Sequence, residues 1–222
     1  MKPRSIASKT QSEQVVAPSQ TRVDLRFVMI SPTELLWALT GLILTIGGTF
    51  IEAFIATPLW TWTEHGYQLY SLGVTSQIGA VLLIGCLGGK NAGVLSQIAY
   101  LVLGLTWFPV FAQGGGMGYI QEPSFGYLLG FVPGAWVCGS LAFKLPSRLE
   151  SLAFSCLCGL LCIHLTGLGY LIVCHSLNWF STPAMPFWDA VWRYSLSPLP
   201  GQLAVVCAAT VLAFTLRRVM FY

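Results

Sequence analysis

Six long apolar runs divide the chain between residues 34 and 216, at 34–55, 72–87, 92–111, 124–143, 152–174 and 199–216. Each is close to the roughly 20 residues that a helix needs to cross a bilayer. The runs are continuous, whereas a membrane strand would alternate apolar and polar positions. The pattern therefore predicts an all-α integral membrane protein with six transmembrane helices. Residues 1–30 are polar and rich in Ser, Gln and Thr. They lack the short apolar core and small-residue cleavage site of a secretory signal. They read as a cytosolic tail without fixed structure, ahead of a membrane domain over 31–222. A basic arm touching anionic lipid is the alternative, and composition leaves an organelle transit peptide open.

Composition supports the membrane reading. Of 222 residues, 55% are hydrophobic and 9% charged, against about 25% charged in a soluble domain. The net charge of +3 matters less than its distribution. With the N-terminus in the cytoplasm, ten of the eleven Lys and Arg fall inside: five in the tail, then Lys90, Lys144, Arg148, Arg217 and Arg218. Only Arg193 falls outside, which is the positive-inside pattern. Trp60, Trp62, Trp107, Trp179, Trp188 and Trp192 cluster at the outer surface as an aromatic belt. Six spans return the C-terminus to the cytoplasm, in a multi-pass protein expected in the plasma membrane. Three outer segments result: a Trp-rich loop over 57–70, a glycine-rich loop over 113–123, and a long loop over 175–198 with room for a short interfacial helix around 187–194.

The glycine-rich loop, with Gly114, Gly115, Gly116 and Gly118, is a candidate lid or wall of a site. Glycine permits positive φ and close backbone approach to a ligand. Glu52 lies inside the first run, where a carboxylate is a functional candidate or snorkels to the outer interface. His164, amid the fifth run, suits a polar ligand or a bond to a neighbouring helix. Gln77 and Gln202 are candidate ligand contacts. Gln97, deeper in the third run, suits helix-to-helix bonding. Gly41, Thr45, Thr49 and Ala53 form a small-residue stripe for helix packing in this chain or with another protein.

Seven cysteines, all within apolar runs, are not a disulfide framework and read as small apolar residues. Cys158 and Cys162 share a helix face, but His164 points about 200° away from Cys162 at 3.6 residues per turn. No metal site, cofactor or catalytic set is expected. The chain has no GxxxxGK[ST] sequence, so ATP-driven work would need another subunit. No nucleic-acid partner is expected.

Several motifs resemble the BioY family, the biotin-specific membrane (S) components of energy-coupling factor transporters. They are T-x-Q at Thr75–Gln77, L-S-Q-x-x-Y-L-x-L-G over 95–104, F-P-V-F-A over 108–112, the glycine loop, and P-[ST]-x-G-Y-L-L-G-F over 123–131. I-H-L-x-G over 163–167 and L-P-G over 199–201 fit more loosely. The resemblance covers residue 72 to the C-terminus. It implies six helices and an outward-facing biotin pocket, walled by the loop after the third helix and by helices four to six. It also implies a transmembrane coupling subunit and two ATPases as partners, although some members are proposed to act alone. A mostly apolar pocket with few polar groups suits biotin's ureido ring, apolar bicycle and carboxylate. Gly116, in the glycine loop, and the polar groups of Gln77, Tyr119, Ser124, Tyr127, His164 and Gln202 are the candidate binding residues.

The sequence departs from the family after L-P-G, where the family usually has Asp and, three residues on, Lys. Here those positions hold Gln202 and Val205. Gln202 is expected to accept through its carbonyl, but Val205 cannot pair with a carboxylate. A lost charge-assisted bond costs about 1.5–3 kcal/mol, roughly ten- to a hundredfold in affinity. Glu122 adds negative charge where the family usually has Gly. Protonated His164, or Arg193, is the candidate replacement cation. An S component for another small vitamin or precursor, and a membrane scaffold that has lost transport, are the alternatives.

Overall fold

The computed structural model describes residues 31–56, 69–106, 108–177, 179 and 185–220. The polar tail, the loop over 57–68 and Trp60, Trp62 and Trp107 of the expected belt lie outside them. The first helix, α1 (Pro32–Phe50), opens on a capping box: Ser31 Oγ accepts from Glu34 N, and a Glu34 carboxylate oxygen accepts from Ser31 N. The reciprocal pair satisfies two N–H groups that the helix start leaves free. Its buried face is Ala38, Gly41, Thr45, Gly48 and Thr49. A Cβ on Gly41 would come within 2.6 Å of Ile84 Cγ1, so this contact requires glycine. The partner of the small-residue stripe is thus in this chain. Ala53 is not on it, because α1 has ended.

That end corrects the expected first helix. Residues Glu52–Ala56 form β1, antiparallel to β2 (Leu69–Thr75), with an irregularity between Glu52 and Phe54. The two-stranded sheet takes the last residues of the first apolar run and the first residues of the second. An apolar run this short does not by itself distinguish strand from helix. Glu52 is consequently an exposed strand residue that accepts from Ser71 Oγ at 3.1 Å, not an acid within a helix.

The next element, α2 (Gln77–Thr106), reverses direction at Gly89, where φ is 79° and ψ −178°. This region is open essentially to glycine alone. A straight helix would separate Gln77 and Tyr100 by roughly 35 Å, yet Gln77 Nε2 donates to Tyr100 Oη at 2.8 Å. The two arms also touch near the turn, where a Cβ on Gly93 would lie 3.5 Å from Gly85 Cα. Residues 79–87 of the first arm are all buried, so this arm is the central post of the bundle.

Around it stand α3 (Phe125–Lys144), α4 (Leu149–Ser176) and α6 (Leu199–Met220). Gly126, Gly130 and Gly134 bring α3 onto Tyr170 and Ile163 of α4, the close approach that small residues allow between membrane helices. A short helix, α5 (Phe187–Val191), and a π-turn (Trp192–Leu196) lead into α6. Five helices among the described residues are long and apolar enough to cross a membrane: α1, α2, α3, α4 and the run Phe187–Met220. Leu39 and Ile43 of α1, and Leu161, Leu165 and Ile172 of α4, are exposed. In a bilayer, such side chains meet lipid.

Two core regions follow. One is aromatic, with Tyr100, Phe111, Tyr119, Phe125, Tyr127 and Phe131. The other contains Leu82, Cys86, Cys138, Leu152, Cys156 and Leu160.

Candidate ligand site

Where α2, α3 and α6 all begin, the described residues enclose a cavity of about 230 Å³. Gly73, Val74 and Thr75 of β2 form one wall, and Gln77 and Ile78 of α2 another. The remaining walls are Ser124, Tyr127, Leu128 and Phe131, then Arg193, Tyr194, Pro198 and Gln202. A few placed polar groups among apolar wall residues are the usual form of a small-molecule site. A larger hollow of about 810 Å³ lies between α1, the β-hairpin, α2 and α6. Its lining is apolar except for Glu52 and Ser76 and includes the exposed Ile43, Leu44 and Phe54. This lateral groove lacks convergent polar groups.

The polar wall is a connected network. His164 Nε2 lies 2.7 Å from Gln202 Oε1, and His164 Nδ1 lies 3.4 Å from Ser195 Oγ. The Gln202 carbonyl can only accept, so Nε2 donates to it and Nδ1 is left to accept from Ser195. Tyr127 Oη sits 2.5 Å from Ser195 Oγ and donates to it. Tyr127 also packs edge-on to His164, with ring centroids 5.7 Å apart. His164 takes one of the two acceptor positions on the Gln202 carbonyl oxygen, and the Gln202 amide N–H groups have no protein partner among the described residues.

Gln77 is arranged the other way round. Its Nε2 donates to Tyr100 Oη, and Tyr100 donates onward to Val110 O at 3.2 Å. The Gln77 carbonyl has no protein partner among the described residues. One wall of the cavity thus holds a free amide acceptor and another a free amide donor.

The glycine loop stands behind this wall. Gly116, at φ 92°, donates its N–H to Gly104 O at 2.7 Å and does not line the cavity. Tyr119, on the 3-10 turn Met117–Gln121, is buried against Phe111 and accepts from Ser124 Oγ at 3.2 Å. Burial raises the Tyr119 phenol above its ordinary pKa. Phe111, Tyr119 and Phe125 buttress the start of α3, from which Ser124 and Tyr127 reach the cavity. Glu122 lines a separate cleft of about 70 Å³ with His175 and Phe187. Val205 lies on the groove side of α6, over Gly79.

Gln97 donates to Thr45 Oγ1 at 3.1 Å and Ser96 Oγ at 3.0 Å, tying α2 to α1. Cys158, Cys162 and His164 do not converge, since His164 turns toward α6. Sequence reasoning missed Ser195 as the link between Tyr127 and His164, and a serine in a polar loop carries no signal for that role. It also passed over Tyr100, although the L-S-Q-x-x-Y motif contains it.

Fold and cavity together define a multi-span membrane protein with a small cavity at one end of a helical bundle, polar groups standing in several of its walls. The BioY family model matches residues 20–221, and the chain belongs to the BioY family. A probable biotin transporter BioY from Lysinibacillus sphaericus is 33% identical over 174 residues, covering 77% of this chain and 82% of its own. An uncharacterized 21.2 kDa protein of Cyanophora paradoxa is 29% identical over 189 residues, covering 84% of this chain and 95% of its own. Among solved structures, the S-component for biotin from an ECF-type ABC transporter superposes with a TM-score of 0.61 at 19% identity. It covers 83% of this chain and 90% of its own, a likeness of fold.

Proposed function

We propose that this chain is the membrane substrate-binding subunit of a biotin uptake system and holds biotin in the cavity between β2, α2, α3 and α6. The observation that carries the reading is the pair of free amide groups in a cavity of a BioY-family chain. Gln77 keeps a carbonyl for a ureido N–H, and Gln202 keeps N–H donors for the ureido oxygen. Arg193 lines the same cavity and is the cation for the carboxylate. His164 serves as a positioning residue, because both its ring nitrogens are engaged. Ser124 and Tyr127 line the wall; Gly116 and Tyr119 brace it.

We read the chain as crossing the plasma membrane six times, the two arms of α2 counting separately, with both termini and the tail over 1–30 in the cytoplasm. The reversal at Gly89 and the positions of Lys90, Lys144, Arg148, Arg217 and Arg218, away from the cavity, support this orientation. The chain carries no ATP-binding loop, so uptake against a gradient draws on an energy-coupling subunit and its ATPases.

Gln202, in a place where the family usually has Asp, favours a second reading in which the cavity takes a related vitamin or a ring-opened biotin precursor. Titration of the purified protein with biotin, such precursors and unrelated vitamins separates the two. Saturable binding with biotin the tightest ligand is expected. A folded protein that binds only a precursor establishes the second reading, and one that binds nothing overturns both.

A further inference from the structure

The second core region holds three thiols that no contiguous motif connects. Cys86 comes from α2, Cys138 from α3 and Cys156 from α4, and each is completely buried. Their sulfurs lie 3.6 Å (Cys86–Cys138), 3.5 Å (Cys86–Cys156) and 4.0 Å (Cys138–Cys156) apart. Zinc–thiolate bonds of about 2.3 Å at tetrahedral angles set sulfurs about 3.8 Å apart. The triangle already has the size of one face of such a site.

Packing alone explains three buried thiols, since Cys is a small apolar residue. It does not explain the charge beside them. Arg217 is buried against the same region, with Nε donating to Cys86 O and Nη1 to Ala142 O, both at 2.9 Å. Its guanidinium lies 4.5 Å from the centre of the Phe143 ring. Among the described residues no carboxylate pairs with it. A buried charge without a counter-charge is strongly unfavourable, whereas thiolates beside it would supply that counter-charge. Three thiolates, one divalent cation and one guanidinium sum to zero, the balance a low-dielectric interior favours.

We propose that Cys86, Cys138 and Cys156 form a structural site for one thiophilic divalent ion of the zinc class, with Arg217 neutralising the remaining negative charge. Binding breaks three S–H bonds, releases three protons to solvent and forms three metal–sulfur bonds. The fourth position falls to a non-protein ligand such as water. The site joins α2, α3 and α4 at the level of the core farther from the ligand cavity. It does not depend on the identity of the cavity's ligand.

The test uses the full chain purified in detergent from cells grown with Zn2+ or Co2+. Elemental analysis is expected to find one metal ion per chain, and the Co2+ form to show a sulfur-to-cobalt charge-transfer band. Cys138→Ser is expected to lose both, while Cys158→Ser/Cys162→Ser keeps both. Arg217→Gln is expected to lower the metal content severalfold. Should Cys138→Ser fail to fold, the native Co2+ spectrum decides alone. Native protein without that band, or with a band that survives Cys138→Ser, overturns the proposal.

Discussion

The imidazole of His164, on α4, holds the side-chain carbonyl of Gln202, on α6, at 2.7 Å. That contact fixes which end of the amide faces the cavity. His164→Ala leaves the amide free to rotate and its carbonyl unpaired. A neutral hydrogen bond is worth about 0.5–1.5 kcal/mol, so biotin affinity should fall about three- to tenfold. His164→Asn, which can still donate to the carbonyl, should lose less. Calorimetry on the three proteins checks this, and native affinity in His164→Ala would show that the amide needs no anchor.

Arg193 is the cation in the cavity wall. If it pairs with the ligand's carboxylate, Arg193→Ala should weaken biotin binding by roughly ten- to a hundredfold, the value of a charge-assisted bond of about 1.5–3 kcal/mol. An amide or ester of biotin, which lacks the charge, should bind the native and variant proteins alike. Competition binding with both ligands measures the difference. An equal loss for the neutral ligand would mean that Arg193 shapes the wall instead.

Gly89 adopts a backbone conformation that side chains rarely reach, and a Cβ there would also meet the Phe143 ring at 3.4 Å. Gly89→Ala should destabilise the protein by roughly 1–3 kcal/mol with little change in ligand affinity. Thermal unfolding in detergent, read beside a binding curve, tests both halves. An unchanged melting temperature would refute the strain argument.

A six-crossing topology, with the two arms of α2 each spanning the bilayer, predicts opposite labelling of two loops. In a background that keeps the buried Cys86, Cys138 and Cys156 and replaces the other four cysteines with serine, a cysteine at Lys90 should react with a membrane-impermeant maleimide only in inverted vesicles. One at the exposed Met117 should react in intact cells. Labelling of both from the same side would make α2 a re-entrant hairpin.

Much of this was legible in the chain, for identifiable reasons. Apolar runs of helix length marked the bodies of α1, α3, α4 and α6, because continuous burial in lipid or protein needs continuous apolar sequence. The break between residues 87 and 92 coincides with Gly88, Gly89, Lys90 and Asn91, where the turn at Gly89 falls. The run ends were not legible. Glu52 and Ser71 meet across a hairpin whose strands extend neighbouring apolar runs, so nothing local separated strand from helix.

The cavity residues Gln77, Ser124, Tyr127 and Gln202 stood out as polar groups in or beside apolar runs. Which atom each would offer depended on His164 and Tyr100, whose distance in sequence hides the pairing. Cys86, Cys138 and Cys156 were invisible as a group for the same reason. Cys158 and Cys162 share a face of one helix, whereas the thiols that converge come from three helices.

The most direct test of the account is a calorimetric titration of biotin into the native protein and into Gln202→Leu, both shown folded by their unfolding transitions. The account predicts saturable one-site binding by the native protein and a loss of tenfold or more when the amide is replaced. Absent binding by the native protein, or equal binding by both, would contradict it.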